Sequence, residues 1–193
     1  MSSAIATSDN KTNFGFWVYL MTDCILFGTL FATYIVLHNN TYGGPAGNEL
    51  FDMPSILVET LILLTSSFTC GLAMLAVRRK KRNQAFFWFG FTFVLGVAFL
   101  VMELSEFGLL IAEGNSWERS GFMSAFFTLV GTHGLHIAIG LLWMLVMGWQ
   151  LLHKGFTDGV VRRFSLLSMF WHFLDIIWIF IFTFVYLMGE LQL

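Results

Sequence analysis

The stretch Phe86–Leu100, FFWFGFTFVLGVAFL, runs through fifteen residues with no charge and no alternation of apolar with polar side chains. A barrel strand in a membrane alternates along about ten residues. A helix crosses about 30 Å of hydrocarbon with about 20 apolar residues at about 1.5 Å each. Extended in both directions, the stretch stays largely apolar from Ala85 to Ala112, with charge only at Glu103 and Glu106. Four more segments read the same way: Phe14–Leu37, Pro54–Val77, Gly121–Leu152 and Phe164–Met188. The expected fold is an all-α integral membrane bundle of five transmembrane helices, over residues 1–193 as one domain.

Composition supports this. Of 193 residues, 57% are hydrophobic, 18% aromatic and 11% charged, and the mean hydropathy is +0.76. A soluble domain is usually about 25% charged, so this chain cannot cover a water-facing surface. The balance excludes a soluble globular domain and a disordered chain. A net charge of −2 gives no footprint for nucleic acid. The first apolar run is too long for a signal sequence, contains Asp23 and lacks a small-residue cleavage pattern, so it reads as a retained helix. Cys24 and Cys70 lie within spans and show no CxxC spacing; they read as apolar packing residues.

Loops are short, so sequence neighbours are expected to pack antiparallel. The longest connector, about His38 to Met53, carries the turn residues Gly43, Gly44, Pro45 and Gly47. No internal or inverted repeat stands out, which weighs against a transporter. Lys11, the run Arg78–Arg82, Lys154, Arg162 and Arg163 put nine cations on one side of a five-span bundle, against Arg119 alone on the other. The positive-inside rule then predicts a cytoplasmic N-terminus and a periplasmic C-terminus. The Arg78–Arg82 run reads as a topology signal, compatible with contact to anionic headgroups.

Polar residues within the spans carry the chemistry. They are the carboxylates Asp23, Glu59, Glu103, Glu106 and Asp175 and the histidines His133, His136 and His172, with no lysine or arginine among them. A charge at mid-membrane costs at least about 2.5 kcal/mol. The carboxylates must pair with histidine, accept hydrogen bonds or stay protonated. Rise per residue puts Glu103 about 14 Å and His133 about 18 Å from the outer ends of their segments, within reach of each other. Asp23 and His172 fall about 14 Å and 12 Å from the inner ends of theirs. Glu59 and Glu106 lie nearer the outer face, where the interface wets Glu106.

Three pairs share an i, i+3 face: Glu103/Glu106, His133/His136 and His172/Asp175. A di-iron bundle would use Glu-x-x-His on two helices and two further glutamates, which these pairs match poorly. Haem ligation would need His133 and His172 at one depth. Interhelical hydrogen bonding that fixes register accounts for the same residues without a ligand. Gly131, Gly134 and Gly140 flank the histidines where helices must approach closely in lipid. Phe27, Phe31, Phe86, Phe87 and Phe89 read as core and lipid-facing bulk.

These motifs resemble subunit III of the haem–copper respiratory oxygen reductases, over nearly the whole chain from Phe14 to Gly189. The most specific piece is Trp171-His172-Phe173-x-Asp175-x-x-Trp178, followed by Tyr186 and Gly189. Next comes Phe126-Phe127-x-x-x-Gly131-x-His133-Gly134-Leu135-His136-x-x-x-Gly140. Glu103-x-x-Glu106 looks like the family's paired glutamates. Asp23, ahead of Leu26-Phe27, stands where the family carries an intramembrane glutamate, and the shorter acid shifts its reach. Cytochrome c oxidases typically have seven helices in this subunit. These five look like the last five, which is similar to the bacterial cytochrome bo-type ubiquinol oxidases.

The resemblance implies a non-catalytic subunit of the bacterial inner membrane that holds no haem, copper or other metal itself. Haems and copper would belong to the partner subunit I, and ubiquinol would be the substrate of the complex. Further implied partners are subunit II, a small subunit IV and membrane phospholipids. The implied roles are assembly, lipid binding and sustained proton uptake by subunit I, which reduces oxygen to water and pumps protons. Subunit III of a cytochrome c-type oxidase is the alternative. The residues alone leave two rivals, a stand-alone haem or di-iron membrane oxidoreductase and a small proton-coupled carrier using Asp23 and Glu103. Topology is directly testable: a reporter fused after Leu193 should be active only outside the cytoplasm, and one fused at Lys81 only inside. The same side for both fusions would contradict five spans.

Overall fold

The computed structural model describes residues 2–43 and 52–191, with side chains from 11–43 and 52–189. Five long helices span Ser2–Leu37 (α1), Met53–Arg78 (α2), Arg82–Ala112 (α3), Gly121–Lys154 (α4) and Asp158–Ile181 (α5). After α5 the chain continues as a π-helical segment, Phe182–Leu187, and a last α-turn, Met188–Leu191. All five are long and apolar enough to cross a membrane, and no strand occurs among the described residues. Gly44, Pro45 and Gly47 of the predicted turn lie outside the described residues.

Local chemistry sets the boundaries. Pro54 occupies the first turn of α2, where its missing N–H costs nothing. Ser120 Oγ accepts from Met123 N (3.1 Å) to start α4, and Thr157 Oγ1 accepts from Val160 N (3.4 Å) to start α5. Gly155, at φ 63°, ends α4. Two predicted starts move outward. The helix of α1 begins at Ser2, not Phe14, and α5 begins at Asp158, not Phe164. Apolar periodicity detects only the hydrocarbon-crossing part, while polar turns continue the helix beyond it. His172 therefore sits about 21 Å from the start of its helix rather than about 12 Å.

α2, α3, α4 and α5 form a four-helix core in which each packs on the next and α5 closes back on α2. α1 lies outside this ring against α4 and α5. That corrects the expectation that sequence neighbours pair throughout: α1 packs chiefly on the last two helices, not on α2. Most of its surface faces outward. Cys24, expected to be a packing residue, is exposed on that surface, whereas Cys70 is buried with its thiol 3.7 Å from Ser168 Oγ.

The surface is turned inside out relative to a soluble protein. Phe68 and Trp149 are 68% and 65% exposed, whereas Ser66, Thr92 and His133 are fully buried. Lipid tails are as apolar as the helix faces, so association relies on close packing and interhelical polar contacts. Trp171 of α5 supplies both. Its ring fills a slot between Gly96 of α3 and Gly140 of α4, where an added Cβ would lie 2.9 Å from the indole on either side. Its Nε1 donates to Ser66 Oγ of α2 (3.1 Å). Gly140→Val should therefore cost about 1–3 kcal/mol by overpacking. Gly131→Ala should be near neutral, because its Cβ would meet Phe107 at an ordinary 3.6 Å. Thermal unfolding of both variants in detergent checks the slot, and equal shifts would contradict it.

Candidate functional site

Asp23 of α1 faces His136 of α4, with Oδ1 4.0 Å from Nε2. The other ring nitrogen, Nδ1, lies 2.7 Å from the Thr132 carbonyl oxygen. A carbonyl only accepts, so Nδ1 carries hydrogen. In a neutral imidazole Nε2 is then a bare acceptor. Asp23 and His136 thus face each other across the α1–α4 interface. Asp23 Oδ2 is buried with no hydrogen-bond partner, and Tyr19 stands beside the carboxylate one turn earlier.

His172 of α5 reaches inward to α2 instead. Its Nδ1 lies 2.7 Å from Ser67 Oγ. Asp175, one turn later, approaches the same hydroxyl and keeps Oδ1 buried and unpartnered. The His172/Asp175 pair on one helix face thereby converges on a single serine.

The three glutamates gather where α2, α3 and the π-helical segment meet. Glu59 and Glu103 are 2% and 1% exposed, and Glu106 is half-buried. Tyr186 donates to Glu106 Oε2 at 3.5 Å, a long hydrogen bond. Both Glu103 oxygens lack partners, as does Glu59 Oε2. Glu103 packs on Gly134: a Cβ there would lie 2.6 Å from its Oε1. The expected meeting of Glu103 with His133 takes the form of packing against the neighbouring residue, without a hydrogen bond to the ring.

His133 occupies the middle of the core. Aromatic rings surround it, with centroids at 5.3 Å (Trp178), 6.0 Å (Phe99) and 6.4 Å (Phe27). Neither ring nitrogen has a partner. His133 and His172 have separate surroundings, and among the described residues no three His, Cys, Asp or Glu side chains converge as a metal-binding group.

Sequence reasoning passed over the hydroxyls that hold these groups. Thr60 Oγ1 accepts from Trp178 Nε1 (3.1 Å), and Ser66 Oγ both accepts from Trp171 and donates to the Thr92 carbonyl (3.2 Å). Thr69 and Thr92 join α2 to α3 at 2.8 Å. The available signal was spacing. The acceptors Thr60 and Ser66 on α2 lie six residues apart, close to the seven that separate Trp171 and Trp178 on α5, and the two helices run antiparallel.

Comparison with known proteins agrees with this architecture. The sequence profile of cytochrome c oxidase subunit III matches residues 4–190. A cytochrome bo(3) ubiquinol oxidase subunit 3 of Pseudomonas aeruginosa is 57% identical over 184 residues, covering 95% of this chain and 88% of that protein. Its counterpart in Buchnera aphidicola is 46% identical over 93% of both chains. A cytochrome c oxidase subunit 3 from a Bacillus species is 44% identical over 95% of this chain and 89% of its own. With the family matched along almost its full length, this multi-pass membrane chain belongs to the cytochrome c oxidase subunit III family.

Proposed function

We propose that the chain is the third subunit of a terminal ubiquinol oxidase in the bacterial inner membrane, and that it acts without a redox centre of its own. One observation carries the quinol assignment: the 57% identity to a bo(3) ubiquinol oxidase subunit over 95% of this chain and 88% of that protein. In this reading subunit I, holding the haems and copper, reduces oxygen to water and pumps protons, and subunits II and IV complete the complex. The chain serves as a single membrane unit that supports assembly, holds lipid and sustains proton uptake. Its N-terminus is cytoplasmic and its C-terminus periplasmic, as the cation bias predicts. The Bacillus relative, whose name gives cytochrome c as donor, favours a second reading in which the complex draws electrons from that protein.

Buried polar side chains support a structural role. Asp23, Glu59, Glu103, Glu106, His133, His136, His172 and Asp175 sit between helices, and those with partners join one helix to another or to themselves. Interhelical hydrogen bonds in membranes average about 0.6 kcal/mol. Each therefore tunes register rather than holding the bundle alone.

Purification on a tag carried by this chain tests the reading. A complex with haem absorbance should co-purify and should oxidise ubiquinol but not reduced cytochrome c. The chain isolated from that complex should carry no haem absorbance and no stoichiometric iron or copper. Metal retained by the isolated chain and lost in His133→Ala or His136→Ala would overturn the proposal.

Asp23 gives a finer test. Asp23→Asn keeps shape and hydrogen bonding but cannot ionise. The assembled oxidase is expected to keep near-normal oxygen consumption and proton-to-electron ratio. A lowered ratio at normal subunit content would put Asp23 on a proton route instead.

A further inference from the structure

Beside the glutamate group, the ends of α2 and α3 nearest Met53 and Ala112 part around a cleft of about 370 Å3. Asp52, Glu59, Glu106 and Glu113 line it, and among the described residues no lysine, arginine or histidine does. Acidity alone would say little on a surface. Here, however, one lining carboxyl, Glu59, is 2% exposed, and its buried Oε2 lacks any protein partner. A buried acceptor of this kind is stabilised by a donor from outside the chain.

Three features define that donor. First, the cleft wall includes Val101 and Leu109, both exposed on the lipid-facing side of α3. The ligand is thus an amphiphile, with apolar chains along α3 and a cationic end in the cleft. Second, depth fits a lipid headgroup. Glu59 and Glu106 each lie six residues from a helix end, about 9 Å along the axis, which is near the boundary between headgroups and hydrocarbon. Third, the carboxylates are spread along the cleft and do not close on one point, since no three of them form a metal-binding group among the described residues. A primary ammonium, with three N–H donors, can bridge separated acceptors such as Glu59 and Glu106. A quaternary ammonium has no N–H to give.

We infer that this cleft binds the primary ammonium of an aminophospholipid, phosphatidylethanolamine, in the leaflet at the Met53 end of α2. The inference deepens the lipid-holding role proposed above and rests on it. Phosphate and glycerol stay at the surface, the acyl chains follow Val101 and Leu109, and the ammonium reaches Glu59.

The assembled oxidase is purified in detergent and exchanged against an equimolar mixture of phosphatidylethanolamine, phosphatidylcholine and phosphatidylglycerol with identical acyl chains. Mass spectrometry then counts the retained lipid. Phosphatidylethanolamine should be enriched about tenfold over phosphatidylcholine, as expected for a hydrogen bond to a charged group. Glu59→Gln with Glu106→Gln should remove that enrichment without changing retention of the other two. Equal retention of the ethanolamine and choline lipids by the unsubstituted complex would overturn this inference and leave the lipid-holding role standing. No lipid above background would overturn both. A divalent metal that co-purifies and is lost in Glu59→Gln would also overturn it. The competition on the unsubstituted complex decides the matter even if the double variant does not assemble.

Discussion

The bundle depends on two indoles. In lipid no hydrophobic drive pulls one apolar helix face onto another, so packing and interhelical hydrogen bonds must hold the helices. Trp171 and Trp178 provide both from one face of α5. Trp171 lies between two glycines of different helices and donates to Ser66. Trp178 stacks edge-on to Phe99 of α3 (4.7 Å), faces His133 of α4 and donates to Thr60 of α2. Each ring therefore touches three other helices, and each N–H, which would be costly to bury unmet, has an acceptor. The glycines, the hydroxyl ladder of α2 and the buried histidine are arranged around these rings.

From that arrangement follows the contrast between the core and α1. The four core helices share the indoles. α1 shares neither and is seated by contacts of its own. The Tyr34 hydroxyl donates to the Val185 carbonyl (3.3 Å), and Asp23 meets His136 half a helix away. Phe27 fills the space between them against the imidazoles of α4. Further rings seat the rest of α1: Phe16 meets Trp143, Tyr19 meets Phe170, and Phe31 meets Phe180 and Phe184. Its single intramembrane carboxylate lies at the polar contact with His136.

Much of this was legible in the sequence. Five apolar runs gave five helices, because uninterrupted hydrophobicity over more than 20 residues has one stable form in lipid. The intramembrane charges and histidines marked the polar interior. Two things were not legible. The seat of α1 against α4 and α5 depends on tertiary packing, which periodicity does not encode. The partners of each polar residue were also hidden. Depth reckoned along isolated helices placed Asp23 and His172 at similar levels, yet Asp23 turns to His136 and His172 to Ser67. Serine and threonine in apolar runs carry weak signals individually, and only pairing with the tryptophan spacing reveals Thr60 and Ser66.

The π-helical segment Phe182–Leu187 gives chain length itself a role. Its wider closure runs from the Met188 N–H to the Thr183 carbonyl, five residues back. An α-helix continuing the seven-residue step from Trp178 would bury Val185 and turn Tyr186 about 100° away. The wider turn buries both, and the Val185 carbonyl accepts from Tyr34. Removing any one residue from the segment would restore α geometry and swing the phenol off Glu106, with every side chain in the segment still chemically acceptable. Over evolutionary time this stretch should accept substitutions far more readily than insertions or deletions, because the information it carries is a count.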